Sequence, residues 1–254
     1  MKTNKIIFLT FLLLVMGFLT FRFTLSYFSD SGNSSDNVLS ASAEFPTVTP
    51  TTTPTPPPVT PTPQIANHVV ISEVQLSKSG TGNTDNDFIE LYNPTSSAFN
   101  LKGHRLVKRS GSSPNDTDIK VWLSDAFIPA HGFYLWANDS IGSSIRADAI
   151  TTDTIAASNS IALRLGDRDT GTIIDALSWN SASQSLKEGT EFSPDPADNG
   201  SMERKAYSTS NAATMEGGAD SLKGNGFDAG NNATDFITRT ISEPQYSTSS
   251  AEIP

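Results

Sequence analysis

The sequence predicts an all-β protein, an antiparallel sandwich or barrel, and two observations carry that expectation. Apolar runs rich in valine, isoleucine and aromatic residues recur at close spacing between residues 68 and 179, and none repeats with the 3.6-residue period of an amphipathic helix. The segments between them are rich in Gly, Asn, Asp, Ser and Pro, which are turn formers. Seven short strands with no helices between them fit two antiparallel layers or a closed barrel.

Taken in order, the runs are HVVISEVQL (68–76), DFIELYN (87–93), FNLKGHRLVKR (99–109), IKVWL (119–123), GFYLWAN (132–138), SIALRLG (160–166) and TIIDALSW (172–179). The first two each hold a carboxylate among apolar neighbours, Glu73 and Glu90, and the last holds Asp175. In GFYLWAN both alternating sets are apolar, Phe133 and Leu135 against Tyr134 and Trp136, which suits a strand buried on two sides, the commoner outcome, or a surface aromatic patch. In SIALRLG the alternation directs Ile161, Leu163 and Leu165 inward and Arg164 outward. Gly166 to Gly171, GDRDTG, reads as the turn of a hairpin joining the last two strands. Beyond residue 180 small polar residues dominate. An irregular excursion is expected there, with MERK (202–205) pinned within it, an edge strand at 235–241 and a frayed tail from Tyr246.

The chain begins differently. Lys2 and Lys5 precede an uncharged apolar run, Ile6 to Phe21, closed by Arg22, the pattern of an export signal or a single membrane anchor. Thr24 and Ser26 are small enough to permit cleavage before Tyr27, and in either case the following chain ends up outside the cytoplasm. Residues 46–63 consist of 8 Pro, 8 Thr and 2 Val. Such a run favours polyproline II and at about 3.1 Å per residue would reach roughly 55 Å, so it reads as a stalk. The predicted organisation is therefore a signal peptide or anchor (1–27), a disordered linker (28–63) with its stalk at 46–63, a β core (64–182) and a C-terminal extension (183–254).

Composition removes several chemistries. The chain has no cysteine, which excludes disulfides, thiol nucleophiles and thiolate metal sites. The three basic residues and three acidic residues of segment 1–63 cancel, so the whole formal charge of −10 falls on residues 64–254, an unfavourable surface for nucleic acid. His68, His104 and His131 lie in separate segments, and no nucleophile elbow, zinc-binding helix motif or phosphate loop occurs, so no catalytic residue and no cofactor are expected.

Three groups of side chains carry competing readings. Asp85 and Asp87 present alternate oxygens, as at the start of a calcium loop. The turn glycine and distal glutamate of such a loop are missing, so turn formation is the better reading and calcium the weaker one. Lys102, Arg105, Lys108 and Arg109 could contact an anionic ligand, but alternation splits them between strand faces, and charged strand residues also guard against edge aggregation. Glu73, Glu90, Asp175, Trp136 and Trp179 read as structural residues, the carboxylates being held by backbone donors or a cation.

Two resemblances add to this reading. The junction TLSYFSDSGNSSDNVLSASAEF (24–45) resembles that of bacterial camelysin and biofilm-matrix fibre proteins, whose signals are cut by a dedicated type I signal peptidase. The ordered set VVISEVQ, DFIELYNPT, FNLKGHRL, FIPAHGFYLW, SNSIALRLGDRDTGTIIDALSW, DNGSMERK and ATDFITRTISEPQ resembles the lamin-tail domain family over residues 66–245. That resemblance implies an immunoglobulin-like β-sandwich that serves as an interaction module. In bacteria the domain occurs on exported proteins, sometimes fused to hydrolases. The coiled-coil rod of lamins and a fused enzyme domain are both missing from this sequence. The expected function is a non-enzymatic cell-surface or secreted binding or scaffold module whose partner is an envelope or extracellular macromolecule, with membrane contact through the N-terminal segment if it stays uncleaved. An accessory domain of an extracellular hydrolase and a nucleic-acid-binding module are the alternatives.

Overall fold

Two sheets lie face to face across one apolar core in the computed structural model, which describes residues 64–76, 85–180 and 186–254. The predicted signal segment, its junction, the linker and the stalk lie outside the described residues. The strands are β1 (Val70–Gln75), β2 (Phe88–Tyr92), β3 (Phe99–Asn100), β4 (His104–Ser110), β5 (Asp116–Val121), β6 (Phe127–Ile128), β7 (Phe133–Asn138), β8 (Ala149–Thr151), β9 (Asn159–Leu165), β10 (Thr172–Ser178), β11 (Ser201–Arg204) and β12 (Phe236–Arg239). Two single-turn helices, α1 (Ala212–Met215) and α2 (Asn232–Asp235), are capped by Asn211 and Asn231.

The larger sheet has the order β12-β11-β1-β2-β7-β8 and the smaller the order β10-β9-β4-β5, while β3 and β6 form a separate pair. The pairings between these strands are antiparallel except β7 with β8, and an isolated parallel bridge joins Trp179 to Phe192. The inner face of the larger sheet contributes Ile71, Val74, Ile89, Leu91 and Trp136, and the smaller contributes Leu106, Ile119, Ile161, Leu163 and Leu177, to one continuous cluster. This is an immunoglobulin-like β-sandwich rather than a closed barrel. β7 is enclosed on both sides, with Tyr134 and Trp136 turned to the core and Leu135 and Ala137 to a second cluster outside.

Several elements differ from the sequence reading for identifiable reasons. The run 99–109 divides into β3 and β4, because His104 N closes a turn on Leu101 O and Gly103 adopts a φ of 81°. β5 begins at Asp116 instead of residue 119, where its amide is received by Asp169 in the hairpin turn. The pinned segment at 202–205 is a strand beside β1, so the C-terminal extension supplies two members of the larger sheet. Arg164 is 4% exposed and Leu165 is 45% exposed, the reverse of their expected burial. Arg164 does lie away from the core, but Asp116 and the carbonyl of Gly171 enclose its guanidinium, and Leu165 sits at the strand end beyond the core.

The tail is docked rather than frayed. Residues 240–254 form a strap on the outer face of the larger sheet, where Glu252 is buried and Tyr246 packs against the cluster of Phe88, Leu135, Ala137 and Ile141. The amide of Glu252 donates to His131 O and that of Gly224 to Ile253 O. Among the described residues no helix is long and apolar enough to cross a membrane.

Candidate functional site

At one end of the sandwich β1, β10 and β11 converge on a buried ion pair. β1 carries a bulge between Ile71 and Glu73, which breaks the ladder and leaves backbone groups needing partners. Asp175 on β10 accepts the Ile71 amide at 2.5 Å, and Arg204 Nε on β11 donates to the Ile71 carbonyl at 2.9 Å. Arg204 Nη2 then holds both oxygens of Asp175, at 2.9 and 2.8 Å, with both side chains fully enclosed. The Phe236 ring lies 4.6 Å from the guanidinium carbon. Burial pushes the Asp175 carboxyl up, and Arg204 and the Ile71 amide oppose that shift.

Three more carboxylates surround the pair. Glu188, Asp228 and Asp235 bring one oxygen each within 4.8 Å of one another, a spacing that could hold a cation. The cation beside them is Arg204, whose Nη1 lies 3.8 Å from Asp228 and 3.9 Å from Asp235. Asp235 also receives the amides of Ala229 and Asn231, and Asp228 that of Gly230, so both serve the local loop. Burial, with the nearby Asp175 charge, pushes Glu188 up to about 8. His68 Nε2 stands 3.6 Å from Asp228.

The basic residues of β4 and its approach are dispersed and individually neutralised. Lys102 pairs with Asp125 at 3.5 Å, Arg105 with Asp118 at 2.8 Å, Lys108 with Asp153 at 3.5 Å and Arg109 with Asp116 at 2.6 Å. Asp116 is shared, because Arg164 meets its other oxygen at 2.9 Å. His104 is buried against Phe99, at 5.0 Å between ring centroids, and burial lowers its pKa. Asp87 is enclosed and accepts the Ile155 amide at 2.6 Å, which ties the start of β2 to the segment before β9. Burial pushes it up to about 7. Asp85 lies in the turn before it, and its carbonyl accepts the Ser140 hydroxyl at 2.9 Å.

A row of glutamates crosses the outer face of the larger sheet. The registers place Glu203 opposite Glu73 and Glu73 opposite Glu90 on β11, β1 and β2. Glu90 accepts Ser72 Oγ at 2.6 Å and the Gln245 amide at 2.5 Å. Glu73 accepts Ser201 Oγ and the Glu243 amide, and Glu203 accepts Arg239 Nη1 at 2.7 Å. Glu73 and Glu90 therefore hold the strap. Trp136 and Trp179 are fully enclosed in the core, and Trp136 Nε1 donates to Thr151 Oγ1 at 3.0 Å.

Sequence reasoning missed Arg204, Glu203 and Arg239. A weak signal for the first two was present: in SMER, Ser201 and Glu203 alternate with Met202 and Arg204, the period of a strand with one enclosed face.

These side chains define a β-sandwich module whose buried polar groups tie its two sheets and its strap together. Residues 62–181, just under half of the chain, match the model of the Lamin Tail Domain family. β11, β12 and the strap lie beyond the matched stretch and complete the larger sheet. No curated protein matches the chain. Among solved structures, a DUF4876 family protein from Bacteroides thetaiotaomicron is 10% identical, with 74% of each chain covered and a TM-score of 0.46.

Proposed function

We propose that this chain is an exported, non-enzymatic binding or scaffold module, a lamin tail domain displayed outside the cytoplasm on its Pro/Thr stalk. The observation that carries the reading is the order of parts: Lys2, Lys5 and an apolar run, then the Pro/Thr run at 46–63, then the domain matched at 62–181. The folded part supports the non-enzymatic half of it. Glu73, Glu90, Asp87 and Asp175, the enclosed carboxylates that a catalytic site would recruit, each accept a backbone amide and brace a distant segment.

The partner is an envelope or extracellular macromolecule. Nucleic acid is disfavoured, because Arg105, Arg109 and Arg164 are already paired with Asp118 and Asp116 and the domain as a whole is acidic. Capture of envelope material by the purified full chain tests the reading. Retention of a defined wall, matrix or surface component supports it, and retention of nothing while hydrolytic activity appears would replace it with the enzyme-accessory reading.

A further inference from the structure

The strap is held to the sheet by carboxylates in place of a β-ladder. Its alternate amides, those of Glu243, Gln245 and Ser247, donate to Glu73 at 3.2 Å, Glu90 at 2.5 Å and Asp148 at 3.0 Å. These acceptors stand on β1, on β2 and just ahead of β8, so the strap crosses over the strands. Ser242 Oγ adds a bond to Gln75, and the Tyr92 hydroxyl donates to the Glu252 carbonyl.

Charge between the strap and the sheet is unbalanced. Glu73, Glu90, Glu203 and Glu252 are exposed by 2, 1, 6 and 8%. Arg239 is the cation bonded among them, reaching Glu203 and Glu243. Lys223 lines the cleft beside Glu243 and Glu252, Glu216 after α1 accepts the Thr240 amide at 2.5 Å, and at the other end Asp148 holds Ser247 and Arg146 donates to the Tyr246 hydroxyl. The backbone of His131 receives the Glu252 amide. Ionising all four enclosed carboxylates would set four negative charges against Arg239 where little water reaches. Lifting the strap would hydrate them.

We propose that the strap is a pH-operated cover, seated in acid and neutral media and released from the sheet as the medium turns alkaline, which uncovers the apolar cluster that includes Phe88. The sign follows from linkage. Burial raises Glu73 to about 8 and Glu252 to about 7, and also raises Glu90 and Glu203. A carboxyl raised in the seated state binds its proton more tightly there. Its support for seating is full below the ordinary carboxylate range and is lost as pH rises through the seated value. The working window therefore runs up to about pH 8.

Amide hydrogen exchange of the full chain, resolved by residue and corrected for intrinsic rates, tests this at pH 6 and pH 9. Protection of the Glu243, Gln245 and Ser247 amides should fall at least about tenfold relative to the β9–β10 hairpin, the effect of a one-unit shift. Glu90→Gln, similar in shape and unable to ionise, should retain most of that protection at pH 9. Strap protection that tracks the hairpin at both pH values would overturn the proposal. So would a Glu90→Gln variant that loses as much protection as the unmodified chain.

Discussion

Arg204 and Asp175 meet at 2.8 Å with neither side chain exposed, and through the peptide of Ile71 they lock β11 and β10 onto the bulge of β1. The contact joins the larger sheet to the smaller, so it couples the C-terminal extension to the matched domain.

Asp175→Asn should therefore be among the most damaging conservative substitutions. It takes from an enclosed guanidinium its hydrogen-bonded counter-charge and leaves Asp228 and Asp235 at 3.8 and 3.9 Å as the remaining carboxylates, a loss of about 3 kcal/mol. Urea unfolding would read it as a lower midpoint with an unchanged slope. Arg204→Met combined with Asp175→Leu should cost less than the sum of the single changes, because the pair is removed together.

Stability should fall as pH rises from about 5 to 9. Glu73 and Glu188 are raised to about 8, and Asp87 and Glu252 to about 7, each chiefly by burial. The folded state holds these protons more tightly than the unfolded chain, so the stabilisation is full below the ordinary carboxylate range and disappears through the raised values. Asp125, Asp167 and Asp169 act oppositely. Hydrogen bonds hold them below the usual range, so their support is lost only as pH falls through those lowered values. A melting temperature that climbs between pH 5 and 9 would contradict this assignment.

Gly171→Ala should disrupt the hairpin between β9 and β10. A Cβ there would lie 2.3 Å from the Asp167 carbonyl oxygen and 2.5 Å from that of Leu165, both backbone atoms with little freedom to move. The cost should be about 1–3 kcal/mol, with the loss felt at Arg164, whose Nη1 bonds the Gly171 carbonyl. Thermal unfolding of the variant beside the parent gives the number.

The purified chain should leave duplex DNA unshifted at physiological salt. Binding would require Arg105 and Arg109 to give up Asp118 and Asp116 within a domain of net charge −10. A gel shift with a steep salt dependence would show that the pairs open.

Much of the sandwich could be read from sequence because local pattern determines it. Phe133–Asn138 is apolar on both alternating sets and is enclosed on both sides, and the turn after Leu165 announces its hairpin. Arg164 shows the limit of alternation: the period says which way a side chain points but not what covers it, and here the hairpin turn does. The strap was illegible for a different reason. Its bonds to Glu73 and Glu90 join residues 170 and 155 positions apart through main-chain amides, which leave no mark on residue type. β11 was obscured because its buried face pairs a methionine with an arginine whose partner, Asp175, lies on another sheet.

Protease treatment of intact cells producing the full chain, followed by fractionation, tests the central claim most directly. The account predicts that the folded domain lies outside the cytoplasm and is released or shortened when protease cuts the segment at 46–63. Intact domain recovered in the cytosol, untouched until the cells are broken, would contradict it.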